Sequence, residues 1–158
     1  MKIKFTQGRP AVAADIENLQ RELGSDLPGS FVEFLRKQDG AKPETNIFRV
    51  GSQNESGVNG FIPLRRILSE RDNIENIPTK AFPIAWAEGG NYVFIDIAAD
   101  GGVFFWDHEQ PESPTFLAAS FTAFIDMLSP FDSASVKLDP NQVKRALIDP
   151  DFLKSLDQ

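Results

Sequence analysis

Apolar residues recur with two different periods along this chain, and the switch between them outlines its architecture. Ile16, Leu19 and Leu23 fall at i, i+3 and i+7, one stripe of a helix that Gly24 stops. Asp15 is a candidate N-cap for it. Asp26-Leu27-Pro28 opens a second helix, with proline in the first turn. Phe31, Phe34 and Leu35 form its inner face, Glu33, Arg36 and Lys37 its wet face, and Asp39-Gly40 ends it. So short a link predicts that the two helices pack as a helical hairpin. Ahead of them, residues 2–5 read as a short strand. Behind them, Ile47–Val50 reads as a strand and residues 51–60 as a polar, Gly-rich loop. Phe61, Ile62 and Leu64 then re-enter the core. A helix over about residues 64–73 would turn Ile67 and Leu68 inward and Arg65, Arg66 and Arg71 outward, and Ile77-Pro78-Thr79 breaks it.

The period then drops to two. Residues 82–107 predict three short strands joined by two tight turns. Glu88-Gly89-Gly90-Asn91 makes the first turn, since Gly and Asn tolerate positive φ. Ala98-Ala99-Asp100-Gly101-Gly102 makes the second, around an Asp-Gly pair. Along the middle strand Val93, Ile95 and Ile97 point one way and Tyr92, Phe94 and Asp96 the other. The first set is the expected core face. The second is aromatic and carries a carboxylate, a face for partial cover or for a partner. Residues 115–117 predict one more strand. Ser120 then caps a helix with Phe121, Phe124, Ile125 and Leu128 at i, i+3, i+4 and i+7. Beyond a Ser- and Asp-containing connection, Asp139-Pro140 starts a helix with the stripe Val143, Ala146 and Leu147, and Asp149-Pro150 restarts the chain into residues 152–156.

Composition narrows the function classes. The 158 residues suit one domain with a Phe-rich core, and the absence of Cys removes disulfides, thiolate nucleophiles and thiolate metal sites. No apolar run approaches a signal peptide or a membrane span, so the expected compartment is the cytoplasm. Asn54-Glu55-Ser56 matches a glycosylation acceptor and is read as chance. The net charge of −7 is unevenly placed. Residues 81–136 contain Glu88, Asp96, Asp100, Asp107, Glu109, Glu112, Asp126 and Asp132 and no Lys or Arg; the rest of the chain is close to neutral. Such a field repels phosphates and attracts basic proteins, which argues against nucleic acid as a partner.

The order of elements resembles the SUKH superfamily, many of whose bacterial members are immunity proteins of polymorphic toxin systems. The helix ending at Leu23, then Leu27-Pro28, Phe31, Phe34-Leu35 and Asp39-Gly40, is similar to the family's opening. Gly60-Phe61-Ile62-Pro63-Leu64 resembles its strand running into a middle helix. Phe82-Pro83-Ile84-Ala85 with Gly89-Gly90-Asn91 and Phe94-Ile95-Asp96 resembles its central strand pair. Ser120-Phe121, Phe124-Ile125 and Leu128 resemble its closing helix. The resemblance covers about residues 12–130. It implies an α+β fold, a mostly antiparallel sheet of about five or six strands flanked by helices. Residues 1–131 would form this SUKH-like domain; 132–158, outside the resemblance, read as a C-terminal helical extension that packs on it or touches a partner. It also implies an immunity function: stoichiometric binding of a cognate protein toxin, with no cofactor and no catalysis.

The candidate partner-binding residues are Glu88, Asp96, Asp100, Asp107 and Glu109, with Tyr92 and Trp106 as aromatic anchors. A nuclease toxin needs a basic surface for phosphates, and an acidic partner complements it. Two other readings use the same residues. One is an intracellular regulatory or scaffold module of the same fold. The other is a small hydrolase in which Asp96 and Asp107 work as a carboxylate pair. The lone His108 lies in an acidic loop, where a solvated side chain is the simpler reading, and no H-E-x-x-H, P-loop, G-x-S-x-G or Rossmann pattern occurs. Arg65, Arg66 and Arg71 lack the aromatic interleaving of a nucleic-acid surface.

Overall fold

The computed structural model describes residues 3–130. Asp132, the stripe Val143, Ala146 and Leu147 and the rest of the expected extension lie outside the described residues. Eight strands and four helices follow in the order β1 (Phe5–Thr6), α1 (Ala13–Leu23), α2 (Gly29–Gln38), β2 (Lys42–Pro43), β3 (Ile47–Val50), β4 (Asn54–Phe61), α3 (Ile67–Arg71), β5 (Ala81–Ala87), β6 (Asn91–Asp96), β7 (Gly102–Trp106), β8 (Thr115–Ala118) and α4 (Phe121–Met127). β1 and β2 form a small antiparallel pair, and β3 to β8 form one antiparallel sheet in sequence order. This is the expected α+β architecture, with a sheet of six strands.

Local chemistry explains most element boundaries. Gly24 takes φ 69° and closes α1 with backbone bonds to Gln20 and Arg21. Ser120 accepts a bond from the Ala123 amide at 3.1 Å and starts α4. The two meander turns use positive φ at Gly89, Gly90, Asp100 and Gly101. Val12, rather than Asp15, holds the cap position of α1; Asp15 sits in the first turn, where its charge suits the helix dipole. The expected hairpin packing of α1 on α2 gives way to other neighbours. α1 lies closest to the 3₁₀ turn at Leu64–Arg66 that precedes α3, and α2 lies closest to α4.

The largest departure from expectation is β4. Residues 51–60 read as a loop, yet after a turn at 51–53 the chain pairs with β3 and then with β5. Its Asn, Ser and two Gly residues have low intrinsic strand preference, so pairing on both sides overrides propensity.

The inner face of the sheet is the core. Val93, Ile95, Phe82, Val103 and Phe61 are buried there beneath α2 and α4. Phe31 packs on Phe82 and Phe121, and Phe34 on Phe61 and Phe121, at ring separations of 4.8–5.6 Å. The sheet is strongly curled. Phe48 of β3 meets Phe105 of β7 at 5.8 Å and Phe124 of α4 at 5.5 Å. β3 thereby approaches β8, the opposite edge. Ser129, just past α4, exchanges backbone bonds of 2.8 and 2.9 Å with Ile47, covering the free edge of β3.

The outer face is half roofed. The short helix α3 covers it over β5 and β6 and is held by Glu70, which is 7% exposed. Glu70 accepts bonds from Trp86 Nε1, the Tyr92 hydroxyl and Asn73 Nδ2, each at 2.9 Å, and from Arg66 at 3.1 Å. Arg66 also stacks over the Trp86 ring at 5.0 Å. Arg71 donates to the carbonyls of Pro78, Thr79 and Ala81, tying the end of α3 to the start of β5.

Candidate functional site: an acidic mouth on the curled sheet

Helices cover the inner face at only one end. At the other end, where β3 turns into β4 and β5 into β6, the curl leaves a cleft of about 490 Å³. Val50, Asn54, Glu55, Ser56, Glu88, Asn91, Phe105 and Asp107 form its walls. A neighbouring cleft of about 440 Å³ shares Val50, Asn54, Phe105 and Asp107 and extends to Gln110, Ser113 and Thr115. Among the described residues, neither is lined by a Lys or Arg.

Three acidic residues from three separate segments line this mouth. Glu55 comes from β4, Glu88 from the β5–β6 turn and Asp107 from the end of β7. The backbone makes room for one of them. A Cβ on Gly57 would stand 2.7 Å from Glu88 Oε1 and 3.1 Å from Asn46 Nδ2, so a larger residue there would displace the Glu88 carboxylate from its place across β4. Asp107 Oδ1 accepts the Glu109 amide at 2.9 Å. Asn91 Oδ1 accepts the His108 amide at 3.0 Å and stands 2.7 Å from His108 Nδ1, which therefore carries the proton. His108 lies 3.9 Å from Asp107 and 4.0 Å from Glu109. Among the described residues no Lys or Arg forms an ion pair with Glu55, Glu88 or Asp107. Arg49, directly across the ladder from Glu55, instead donates to the Ser52 carbonyl at 2.9 Å. The mouth thus gathers negative charge, with Arg49 beside Glu55 and, among the described residues, no cation paired with any of the three carboxylates.

The seven sequence-derived candidates do not form one site. Glu88, Asp107 and Glu109 share the mouth and its rim. Asp96 and Asp100 sit at the opposite end of the β6–β7 hairpin. Asp96 there bonds the Ala98 amide at 3.0 Å, and Asp100 takes a left-handed φ of 56° in the turn. Tyr92 and Trp106 are 8% and 5% exposed, so neither is a surface anchor. Their rings pack together at 5.9 Å on the outer face, and the Tyr92 hydroxyl serves Glu70.

Register also undoes the proposed carboxylate pair. Asp96 lies opposite Gly102, and Asp107 follows Trp106, which lies opposite Tyr92. The two carboxylates are therefore separated by the length of a strand, roughly 16 Å at the usual rise. They cannot share a proton or flank one bond, and the hydrolase reading loses its site. Among the described residues, no three of His, Asp and Glu are gathered closely enough to hold a metal ion.

Sequence reading missed Glu55 because its segment looked like a loop; the alternation of Asn54, Ser56 and Val58 was the available signal. It also missed Glu70, whose i, i+4 spacing from Arg66 was visible. Burial raises the Glu70 pKa, but the bonds from Tyr92, Trp86 and Asn73 and the Arg66 charge outweigh it, leaving the carboxyl below its ordinary value. Burial pushes the Tyr92 phenol up; the bond from Asn73 opposes the rise, and the adjacent Glu70 carboxylate adds to it.

Fold and cleft together define an α+β domain built on a curled antiparallel sheet with an acidic cleft at one end. The chain belongs to the SMI1/KNR4 family (SUKH-1), whose profile matches residues 10–127. A similar protein is the SPbeta prophage-derived uncharacterized protein YokK of Bacillus subtilis (strain 168), 26% identical over 136 residues, with 70% of each chain covered. No helix among the described residues is long and apolar enough to cross a membrane.

Proposed function

We propose that this protein is an immunity protein that binds a cognate toxin domain through the acidic mouth, with Glu55, Glu88 and Asp107 inside it and Glu109 on the rim. The observation that carries the reading is that three acidic residues, from β4, the β5–β6 turn and the end of β7, line one cleft that no Lys or Arg among the described residues lines. Membership of the SUKH family supports a protein partner, and the likeness to a prophage-derived protein fits a mobile conflict system. A toxin that handles nucleic acid presents a basic groove. Carboxylates held apart on a rigid sheet would occupy that groove and speed encounter. Asp96 and Asp100, at the far end of the hairpin, are not part of this surface.

The test is co-purification with the product of the adjacent gene, followed by binding measurements over a range of salt. Glu88→Ala with Asp107→Ala should weaken binding about tenfold at low salt and flatten its salt dependence. Unchanged affinity in that double variant would remove the mouth from the interface. An equal loss from Asp96→Ala with Asp100→Ala would move the interface to the other end of the sheet.

A further inference from the structure

The acidic cleft holds one polar group that the charge of its rim does not explain. Strand alternation turns Asn54, Ser56 and Val58 of β4 to one face, and Ser56 lies opposite Phe48, a core residue. Ser56 is itself 7% exposed and lines the cleft. Its hydroxyl has no hydrogen-bond partner among the described residues, whereas Glu70, equally buried, is surrounded by donors. Phe105, on the facing wall, meets Phe48 at 5.8 Å, so β7 and β3 come together beside Ser56. Asp107, two residues beyond Phe105, lines the same cleft with a side chain 35% exposed. Its Oδ1 accepts the Glu109 amide, and its Oδ2 makes no bond among the described residues. A hydroxyl withdrawn from bulk water and unmatched within its own fold calls for a polar group from outside.

We infer that the cleft is a guanidinium site whose occupant is an arginine side chain of the protein bound at the mouth; that choice of occupant rests on the proposed function above. The stem of the arginine lies along Val50 and Phe105, and its planar head reaches the Asp107 carboxylate and the Ser56 hydroxyl. Charge selects a cation, because acidic residues line the cleft and, among the described residues, no Lys or Arg does. The apolar walls select a long basic side chain, which lays its methylenes on such surface. The choice of arginine over lysine follows from the acceptors. A hydroxyl and a carboxylate on different strands suit a flat fork of donors better than a compact, strongly hydrated ammonium, and guanidinium also stacks on aromatic rings. The volume of about 490 Å³ is that of a pocket able to enclose one such group. The protein's own Arg49 does not take the place. It alternates with Phe48 along β3, and its guanidinium is bonded to the Ser52 carbonyl at 2.9 Å. Beyond Asp107 the adjoining cleft is lined by Gln110, Ser113 and Thr115, neutral groups suited to the peptide backbone on either side of the arginine.

The test titrates the full chain, isotopically labelled for amide NMR, with N-acetyl-L-arginine amide and with its citrulline and lysine counterparts. Citrulline keeps the shape and removes the charge; lysine keeps the charge and removes the fork. The arginine probe should give saturable shifts confined to the amides of residues 54–56 and 105–108. The citrulline and lysine probes should bind about fivefold more weakly or worse. Ser56→Ala removes one hydroxyl and leaves every charge, and should weaken the arginine probe about threefold to tenfold with the rest of the spectrum unchanged. Asp107→Asn should abolish saturation. No saturable shift in the unmodified protein would overturn the inference. So would equal responses to arginine and lysine, or binding that Ser56→Ala leaves intact, since both mark diffuse attraction to an acidic surface. Toxin binding, measured in parallel, separates this inference from the proposed function. A toxin bound through Glu88 and Asp107, with no saturable arginine shift, ends the inference and spares that reading. Saturable arginine shifts with no toxin bound sustain the guanidinium site and end that reading.

Discussion

Glu70 and the mouth carboxylates are the same chemistry put to opposite uses. Glu70 is buried under α3 and surrounded by four donors from Arg66, Asn73, Trp86 and Tyr92. Glu55, Glu88 and Asp107 stand in an open cleft with no cation from their own fold among the described residues. A satisfied buried carboxylate holds structure together, because the Tyr92 hydroxyl and the Trp86 indole N–H would otherwise lose their acceptor away from water. An open group of like charges contributes no such cohesion and mildly repels itself. Its value lies in what it can attract. The contrast separates residues whose loss should unfold the protein from residues whose loss should only disarm it.

The largest effect expected is from Glu70→Ala. It strands the Trp86 indole and the Tyr92 hydroxyl and releases Arg66, and should cost about 3 kcal/mol in urea unfolding, with little direct effect on the mouth. A cost under about 1 kcal/mol would mean that α3 is held by apolar contacts alone. The same group sets an acid limit. Its folded pKa lies below the ordinary glutamate value of 4.5, so its stabilising contribution is complete above that value. The contribution is lost as pH falls through the lowered folded value. Glu70→Gln should therefore flatten the decline in stability at acid pH, measured as unfolding midpoint against pH. An acid slope identical to that of the unmodified protein would assign the decline to other carboxylates.

Next comes Glu88→Ala with Asp107→Ala. Stability should change by less than about 0.5 kcal/mol, as expected for surface groups, while toxin affinity falls about tenfold. Gly57→Ala probes positioning: the added methyl displaces the Glu88 carboxylate. Because alanine suits a strand better than glycine, the net stability change should stay within about 1 kcal/mol, with binding weakened less than by removing Glu88. The smallest effect belongs to Asp96→Ala. It removes one turn bond to the Ala98 amide, costs about 0.5–1 kcal/mol and leaves binding unchanged.

Local patterns were readable where one segment is enough to express them. The stripe Ile16, Leu19, Leu23 and the Ser120 cap with Phe121 and Phe124 became α1 and α4, and the Gly- and Asp-containing turns of residues 82–107 became the β5–β6–β7 meander. The charge excess of the middle segment was also plain in the residue order. β4 was hidden because its pairing energy resides in β3 and β5, and Glu55 was hidden with it.

The sequence by itself determined most of the element types and the acidic middle, since each follows from periodicity, turn chemistry or charge within a short stretch. Only the tertiary structure decided which carboxylates meet. Register placed Asp96 and Asp107 at opposite ends of a hairpin, and the folded sheet lined one cleft with Glu55, Glu88 and Asp107. It likewise buried Tyr92 and Trp106 on the outer face. Strand alternation says that two side chains share a face. Whether that face meets water depends on what packs against it, and that is set by residues far away in the chain.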